Sequence, residues 1–157
     1  MINIVKASTG CSCTVGYPGY NKLGTMKLST TCDVQSITHE IGHAVGLIHE
    51  HQRPKRDQYL TIPSNLYSKI EAQFGSSLAN NVKANLAKDL VYSDQLPYDY
   101  TSVMHYGSWP RNHQPLRDYL MGINLPLFTK KTGVEVTRPT FGLTLDDIKK
   151  VNLAYPD

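Results

Sequence analysis

Long apolar runs and blocks of like charge are both missing from this chain of 157 residues. No stretch of 18 apolar residues occurs, which excludes a membrane-spanning helix within the chain. The net charge is only +3 and no block of five like charges is present, so the sequence does not indicate binding to nucleic acid or to a membrane surface. Internal repeats and low-complexity tracts are also lacking, which excludes repeat architectures.

Cysteine is scarce and odd in number, with Cys11, Cys13 and Cys32 as its three positions. At least one thiol is therefore unpaired or joined to a group outside this chain. A metal site at Cys11 and Cys13 is disfavoured because their spacing is shorter than C-x-x-C. Apolar residues make up 40% of the chain, which is enough for one globular domain with a core.

A histidine-rich run is the most informative part of the sequence, since residues 39–50 are His-Glu-Ile-Gly-His-Ala-Val-Gly-Leu-Ile-His-Glu. We predict a helix over residues 36–46, in which His39 and His43 lie on one face and can bind one metal ion. Glu40 lies about 100° round the helix, where its carboxylate can address a water molecule at the metal. The pattern predicts a zinc ion with a general base beside it.

Gly46 determines whether a third histidine can join this site. If the helix continued, His49 would lie about 15 Å along the axis from His39, because each residue rises about 1.5 Å. A glycine can take the left-handed conformation that ends a helix, so the chain can turn at Gly46 and bring His49 back under the other two. Three histidines with one open position are typical of catalytic rather than structural zinc.

The pattern H-E-x-x-H-x-x-G-x-x-H resembles that of the metzincin metalloproteases, and the residues after it resemble the astacin family. Five residues of the family's extended motif are present: Glu50, Arg53, Arg56, Asp57 and Tyr59. Lys55 stands where the family usually has Asp, a change expected to remove only a local ion pair. The simplest interpretation of the cationic cluster from residue 53 to residue 56 is a solvated loop.

A second motif, Ser-Val-Met-His-Tyr-Gly at residues 102–107, resembles the astacin Met-turn. The resemblance implies that Met104 forms a hydrophobic floor under the zinc. It also implies that Tyr106 is an extra metal ligand that leaves the metal when substrate binds and then donates a hydrogen bond to the oxyanion, two roles open to a phenol near a cation. His105 is not expected to bind metal, and His51 and His113 are expected to be solvated.

The resemblance covers nearly the whole chain and implies an α+β fold, the two-lobed, zincin-like catalytic domain of the metzincins with its active-site cleft between the lobes. Residues 1–157 would form a single, partial peptidase domain. Residues 1–46 would be the N-terminal lobe with an edge strand and the zinc helix, and residues 47–157 the C-terminal lobe with His49 and the Met-turn. A family domain normally begins with a long helix and further strands, so the N-terminal sheet is expected to be incomplete.

The resemblance also implies a disulfide between Cys11 and Cys32, with a Cys13–Cys32 bridge as the open alternative. Either bridge indicates an oxidising, secreted setting. In the family, the glutamate after the third histidine, here Glu50, interacts through water with the mature N-terminal ammonium. No such terminus is expected in this chain, so Glu50 is expected to lack its partner.

Local patterns predict the remaining elements. Strands are expected at Ile2 to Lys6 and at Thr25 to Thr30, the second as the edge strand. Helices are expected at Asn65 to Phe74 and Ser77 to Leu86, and a last helix is expected from the cap at Thr144, with Asp147 three residues later, to Leu153. Asp33 is the candidate N-cap of the zinc helix, whose apolar residues Ile37, Ile41, Ala44, Val45 and Ile48 would form a buried stripe. Residues 111–141 carry three prolines and little periodicity, which predicts irregular structure.

These features predict a zinc-dependent endopeptidase that hydrolyses peptide bonds in proteins, with Glu40 as general base and Tyr106 as oxyanion donor. The substrate would lie extended along Thr25 to Thr30 as an added strand. The family's frequent preference for an acidic residue after the scissile bond would be met by Lys130, Lys131 or Arg138. Two rivals are a zinc-stabilised, catalytically weak binding or adhesion module derived from a protease, and a zinc hydrolase acting on a non-peptide substrate.

Overall fold

The computed structural model describes residues 1–16, 22–90, 95–140 and 142–156, and it has the predicted α+β character. The helices are α1 (Val34–Ala44), α2 (Leu66–Phe74), α3 (Ser76–Asn85), α4 (Gln114–Gly122) and α5 (Leu145–Ala154). The strands are β1 (Ile2–Lys6), β2 (Cys11–Cys13), β3 (Gly24–Leu28), β4 (Leu60–Thr61) and β5 (Thr129–Lys130). No helix in the described parts of the chain is long and apolar enough to cross a membrane.

The chain divides into two compact units. The first contains Met1–Glu50, Gln95–His105 and Pro139–Asp157, and the second contains His51–Asp94 and Tyr106–Arg138. These bounds differ from the predicted lobes, because His49 and Met104 group with the zinc helix in the first unit. The division into lobes at residue 46 stays a prediction.

The first unit holds a three-stranded sheet in the order β1-β3-β2. β3 pairs with β1 in parallel, with Ile2 opposite Gly24, and with β2 in antiparallel fashion, with Cys13 opposite Met26. The prediction that Thr25 to Thr30 is an edge strand is therefore wrong, since this strand ends at Leu28 and has a partner on each side. The antiparallel strand at the edge is the short β2, which has no alternation long enough to predict it.

A disulfide joins the start of β2 to the segment that precedes α1. Cys11 is bonded to Cys32, as the resemblance implied, and Cys13 is a free thiol. The bridge closes the loop between the edge strand and the zinc helix, which limits how far β2 can move from α1 when the chain unfolds.

α1 begins at the predicted N-cap. Asp33 has extended backbone, and its Oδ1 accepts a hydrogen bond from the Ser36 backbone N–H at 2.8 Å, which satisfies one of the free donors of the first turn. The prediction of a buried stripe is wrong, because Ile41 is 45% exposed and the other four apolar residues, Ile37, Ala44, Val45 and Ile48, are only half-buried. The fully buried side of α1 instead carries His39, Glu40 and His43.

The second unit packs α2, α3 and α4 around an apolar core. Its buried hydrophobic residues are Leu60, Leu66, Ile70, Ala79, Leu86, Leu116, Leu120, Leu127, Phe128 and Val136. The irregular structure predicted for residues 111–141 is contradicted by α4. This helix starts after His113, whose Nδ1 accepts the Leu116 N–H at 3.1 Å, and its proline lies in the first turn, where a missing N–H costs nothing.

The cationic loop is not solvated as predicted. Arg53 is 1% exposed and Arg56 is buried, whereas Lys55 is exposed. Arg56 donates from Nη1 to the His51 carbonyl at 2.9 Å and from Nε to Asp57 at 2.6 Å. Both arginine side chains therefore lie in the interior of the second unit. A buried guanidinium is stable only with hydrogen-bond acceptors around it.

Candidate metal centre

The end of α1 has the geometry that the third histidine requires. Gly46 has a φ of +96°, its N–H donates to the His43 carbonyl at 2.9 Å, and the Leu47 N–H donates to the Gly42 carbonyl at 2.9 Å. This pair of bonds is the Schellman motif, in which a left-handed residue reverses the chain and satisfies the last carbonyls of the helix. The prediction that Gly46 ends the helix and turns the chain is confirmed.

The turn brings three imidazoles together at one point. His49 Nε2 lies 3.1 Å from His43 Nε2 and 3.2 Å from His39 Nε2. Within the described parts of the chain, these residues form the one group of three or more side chains able to hold a metal ion. The sequence-predicted ligand set is therefore assembled in the structure.

The second nitrogen of two of the rings is held by the backbone. His39 Nδ1 lies 2.8 Å from the Val103 carbonyl, and His43 Nδ1 lies 2.8 Å from the Leu47 carbonyl. Because a carbonyl can only accept, each Nδ1 carries the proton and each Nε2 keeps its lone pair. The rings are therefore fixed in the tautomer that a metal ion needs, with the backbone orienting them from behind.

Burial keeps these imidazoles neutral. Desolvation lowers the pKa of His39 to about 4, against which the hydrogen bond to Val103 acts only in part, and it lowers the pKa of His43 as well. Neutral imidazole is the form that binds a metal ion, so the burial prepares the ligands for one.

The spacing of the nitrogens fits zinc. Ligand atoms about 2.0 to 2.1 Å from a tetrahedral zinc lie roughly 3.3 to 3.4 Å from one another, close to the separations of His49 Nε2 from the Nε2 atoms of His43 and His39. The ligand atoms of all three histidines lie within 4.8 Å of one another. Three lone pairs that face one another at this distance would repel without a cation among them. The donor set therefore fits one zinc ion with three protein ligands and a position left for water or substrate.

Met104 supports the helix between the two helical ligands. It is 1% exposed, it belongs to the core cluster of Leu47 and Val103, and its Sδ lies 2.5 Å from where a Cβ on Gly42 would be. A side chain at Gly42 would therefore displace Met104. Sequence reasoning missed this requirement, since the glycine stands in a motif position usually open to any residue.

Glu40 lies next to His39 on α1 and is 6% exposed. Its Oε2 finds no hydrogen-bond partner among the described residues, and burial raises its pKa from 4.5 to about 7. A buried carboxylate with an unused oxygen is costly to keep, which is typical of a group with a chemical role.

Glu50 does not lack a partner, contrary to the expectation. It is 1% exposed, its Oε2 accepts from Lys150 Nζ at 2.7 Å, and its Oε1 accepts from the Asp99 backbone N–H at 2.8 Å. No local pattern indicates the pair with Lys150, because one hundred residues separate its members.

The other histidine and tyrosine residues singled out from the sequence make contacts within their own units. His105 is buried in the first unit with Nε2 at 2.8 Å from the Tyr98 hydroxyl, and it is not in the ligand group. Tyr106 belongs to the second unit, where its ring stacks on His51 with centroids 4.4 Å apart. The prediction that His51 is solvated is wrong, because this ring is 0% exposed and also stacks on Phe128. The metal-binding and catalytic roles of Tyr106 stay predictions.

Comparisons with known proteins agree with this geometry. The sequence profile of the peptidase family described as Astacin matches residues 1–156. The chain is 31% identical over 148 residues to "Astacin-like metalloprotease toxin 2" of Loxosceles intermedia, covering 92% of this chain and 51% of that protein. It is 38% identical over 150 residues to "Zinc metalloproteinase nas-38" of Caenorhabditis elegans, covering 93% of this chain and 18% of that one.

A solved structure shows the same fold. The zinc-protease High choriolytic enzyme 1, a hatching enzyme of the fish Oryzias latipes, superposes with a TM-score of 0.69 at 24% identity over 98% of this chain and 68% of its own. The chain spans about half, or less, of the length of the curated relatives named above.

Proposed function

Because the chain belongs to the astacin family of peptidases, we propose that it acts as a zinc-dependent endopeptidase on peptide bonds in proteins. The observation that carries this proposal is the convergence of three Nε2 atoms beside a buried glutamate. His39 and His43 have their tautomers set by backbone carbonyls, and Glu40 follows the first ligand with one oxygen unused. A purely structural zinc site has no use for that carboxylate.

The work of the protein groups follows from their positions. When bound, zinc acts as a Lewis acid, lowering the pKa of a water molecule towards about 7 and polarising a carbonyl group. Glu40 takes the proton from the attacking water and passes it to the leaving amine. A group whose pKa lies near neutrality can do both, and a nearby cation favours its ionised form at the start.

Tyr106 is proposed as the oxyanion donor and as an extra ligand to the metal. The phenol can give its proton to a hydrogen bond as negative charge develops on the substrate oxygen. In the second unit its ring is held by stacking on the buried His51, which gives the side chain a fixed base from which its hydroxyl acts.

The proposed position of the substrate follows the observed strand order. β3 has both sides occupied, whereas no described strand pairs with the outer side of β2. The segment after β2 lies against the zinc helix, because the Gly16 N–H donates to the His43 carbonyl at 2.7 Å. We therefore propose that an extended peptide lies along β2, where main-chain bonds would fix its direction beside the ligands.

Of Lys130, Lys131 and Arg138, we propose Arg138 as the residue that binds an acidic side chain of the substrate. A Cβ built on Gly107 would meet the Arg138 backbone N at 3.3 Å and its Cβ at 3.5 Å, so this arginine lies beside the residue that follows Tyr106. Replacing Arg138 by Gln should lower the rate of cleavage before acidic residues more than the rate before alanine. Replacing the exposed Lys131 by Gln should affect both rates equally.

The Cys11–Cys32 disulfide supports a secreted or extracellular location, since such bonds persist in oxidising compartments. The relative from Loxosceles intermedia is named a toxin, in keeping with that setting.

The central test replaces Glu40 by Gln in the zinc-loaded protein. Zinc content should stay at one ion per chain, while cleavage of a protein substrate should fall by at least about a hundredfold, because the amide cannot accept the proton. Tyr106→Phe should cost about 10² to 10³ in rate. A Gln variant that turns over normally would remove Glu40 from the mechanism. A zinc-loaded wild-type chain without any activity would favour the alternative, a zinc-stabilised binding module.

A further inference from the structure

Glu50, the residue after the third ligand, is held by hydrogen bonds of both its backbone and its side chain. The Glu50 backbone N–H donates to the Met104 carbonyl at 3.1 Å, and its carboxylate accepts from Asp99 N–H and from Lys150 Nζ. Since His49 and Glu50 share a peptide group, fixing Glu50 also fixes the backbone from which the third imidazole extends.

Lys150 supplies the cation of this arrangement from α5. Its side chain is 7% exposed and that of Glu50 is 2% exposed, so the pair is shielded from water. Asp147 Oδ1 lies 3.6 Å from the same ammonium, one turn earlier on the helix. One lysine therefore lies close to two buried carboxylates, and losing it would remove a positive charge that offsets both.

The same helix reaches a second ligand through Asp147. The carboxylate accepts from the Ser102 hydroxyl at 2.6 Å and from the Val103 backbone N–H at 3.1 Å. Val103 in turn accepts the Nδ1 proton of His39 through its carbonyl. α5 thus contacts the support of His39 through Asp147 and the support of His49 through Lys150.

We propose that Lys150 is a positioning residue of the metal centre, which holds His49 in place through its buried bond to Glu50. The inference rests on the zinc site of the proposed function but not on peptidase activity. The physical reason is that groups behind a metal ligand restrict its orientation, and their loss typically lowers metal affinity about 10- to 100-fold. A simple role in stability would lower the melting temperature without changing the bound metal.

The experiment compares Lys150→Met with Lys149→Met in the full chain. Lys149 is the matched control, because it is the neighbouring lysine of α5, is 60% exposed and pairs with the surface carboxylate of Asp146. Zinc release to a chelator is followed at a temperature where both variants remain folded, and the visible absorption of the cobalt-substituted proteins reports the ligand geometry. Lys150→Met should release zinc at least about tenfold faster than Lys149→Met and shift the cobalt bands.

Lys150→Arg should restore release to within about threefold of the control, because it keeps the cation within reach of Glu50. If Lys150→Met does not fold, the double variant Glu50→Gln with Lys150→Met removes both charges of the pair. It should fold and still release zinc faster than the control, because the amide lacks its anchor. Release rates and cobalt spectra equal to those of Lys149→Met, in whichever of the two variants folds, would overturn the proposal.

The outcomes separate this inference from the proposed function. Faster zinc release in a chain that never cleaves protein would support the role of Lys150 and reject the endopeptidase. Normal cleavage by wild type with unchanged zinc release in Lys150→Met would do the reverse.

Discussion

Replacing Glu40 by Gln should stabilise the zinc-free protein at neutral pH, in addition to removing its proposed activity. The side chain is 6% exposed and one of its oxygens has no partner among the described residues. Burial raises its pKa from 4.5 to about 7, so the folded state holds a carboxylate that is more stable in water. A neutral amide of the same shape does not carry this cost.

The size and sign of the effect follow from the pKa. In the unfolded chain Glu40 loses its proton near pH 4.5, and in the folded chain near pH 7, so the folded state binds more protons between these values. Wild-type stability therefore falls across this window as the pH rises. At about 1.4 kcal/mol for each pKa unit, the difference between variant and wild type should grow to at most roughly 3.5 kcal/mol above pH 7.

Urea unfolding at a series of pH values from 4.5 to 8, with zinc removed by a chelator, measures this difference directly. Both proteins contain the same histidines, whose own titration cancels in the comparison. Glu71→Gln, which removes an exposed carboxylate from α2, controls for the change in net charge. A Glu40→Gln curve parallel to wild type over the whole range would refute the argument that Glu40 is buried at a cost.

Three further predictions concern the support of the metal centre. Gly42→Ala should lower the free energy of unfolding by about 1 to 3 kcal/mol in urea, because the new Cβ overlaps Met104 Sδ. A higher free energy of unfolding, as expected from helix propensity alone, would contradict this clash. Asp147→Asn should lower the free energy of unfolding by roughly 2 to 4 kcal/mol, since the amide cannot replace every bond of the carboxylate to Ser102 and Val103, and an unchanged midpoint would argue against the network. In the zinc-free Glu40→Gln variant, the free energy of unfolding should fall as the pH drops from about 6.5 to about 4. The pKa of His39 is lowered to about 4 in the folded chain, so the unfolded chain binds the proton first. A free energy of unfolding that does not change over this range would count against the burial of His39.

The parts of the site that depend on neighbouring residues could be predicted from the sequence. Asp33 at the start of α1 and Gly46 at its end act through hydrogen bonds within a few residues, and both took the expected roles. The same holds for α5, where Thr144 and Asp147 form the reciprocal cap that their spacing indicated. Local rules also located α2 and α3 to within a residue or two.

The parts that depend on distant packing could not. β2 is three residues long and becomes a strand only because β3 lies beside it. His51 is buried by Tyr106 and Phe128, whose proximity no local pattern reveals. Lys150 looks like any lysine of a surface helix, next to the exposed Lys149, until the fold places Glu50 in front of it.

The link from α5 to the ligands has a consequence for the order of events during synthesis. The ribosome makes the three histidines about a hundred residues before Lys150, an interval of roughly 5 to 20 s at ordinary elongation rates. In that interval the nascent chain has its imidazoles but neither the carboxylate that holds Val103 nor the ammonium that holds Glu50. We therefore expect the metal centre to be fully formed only after α5 has left the ribosome.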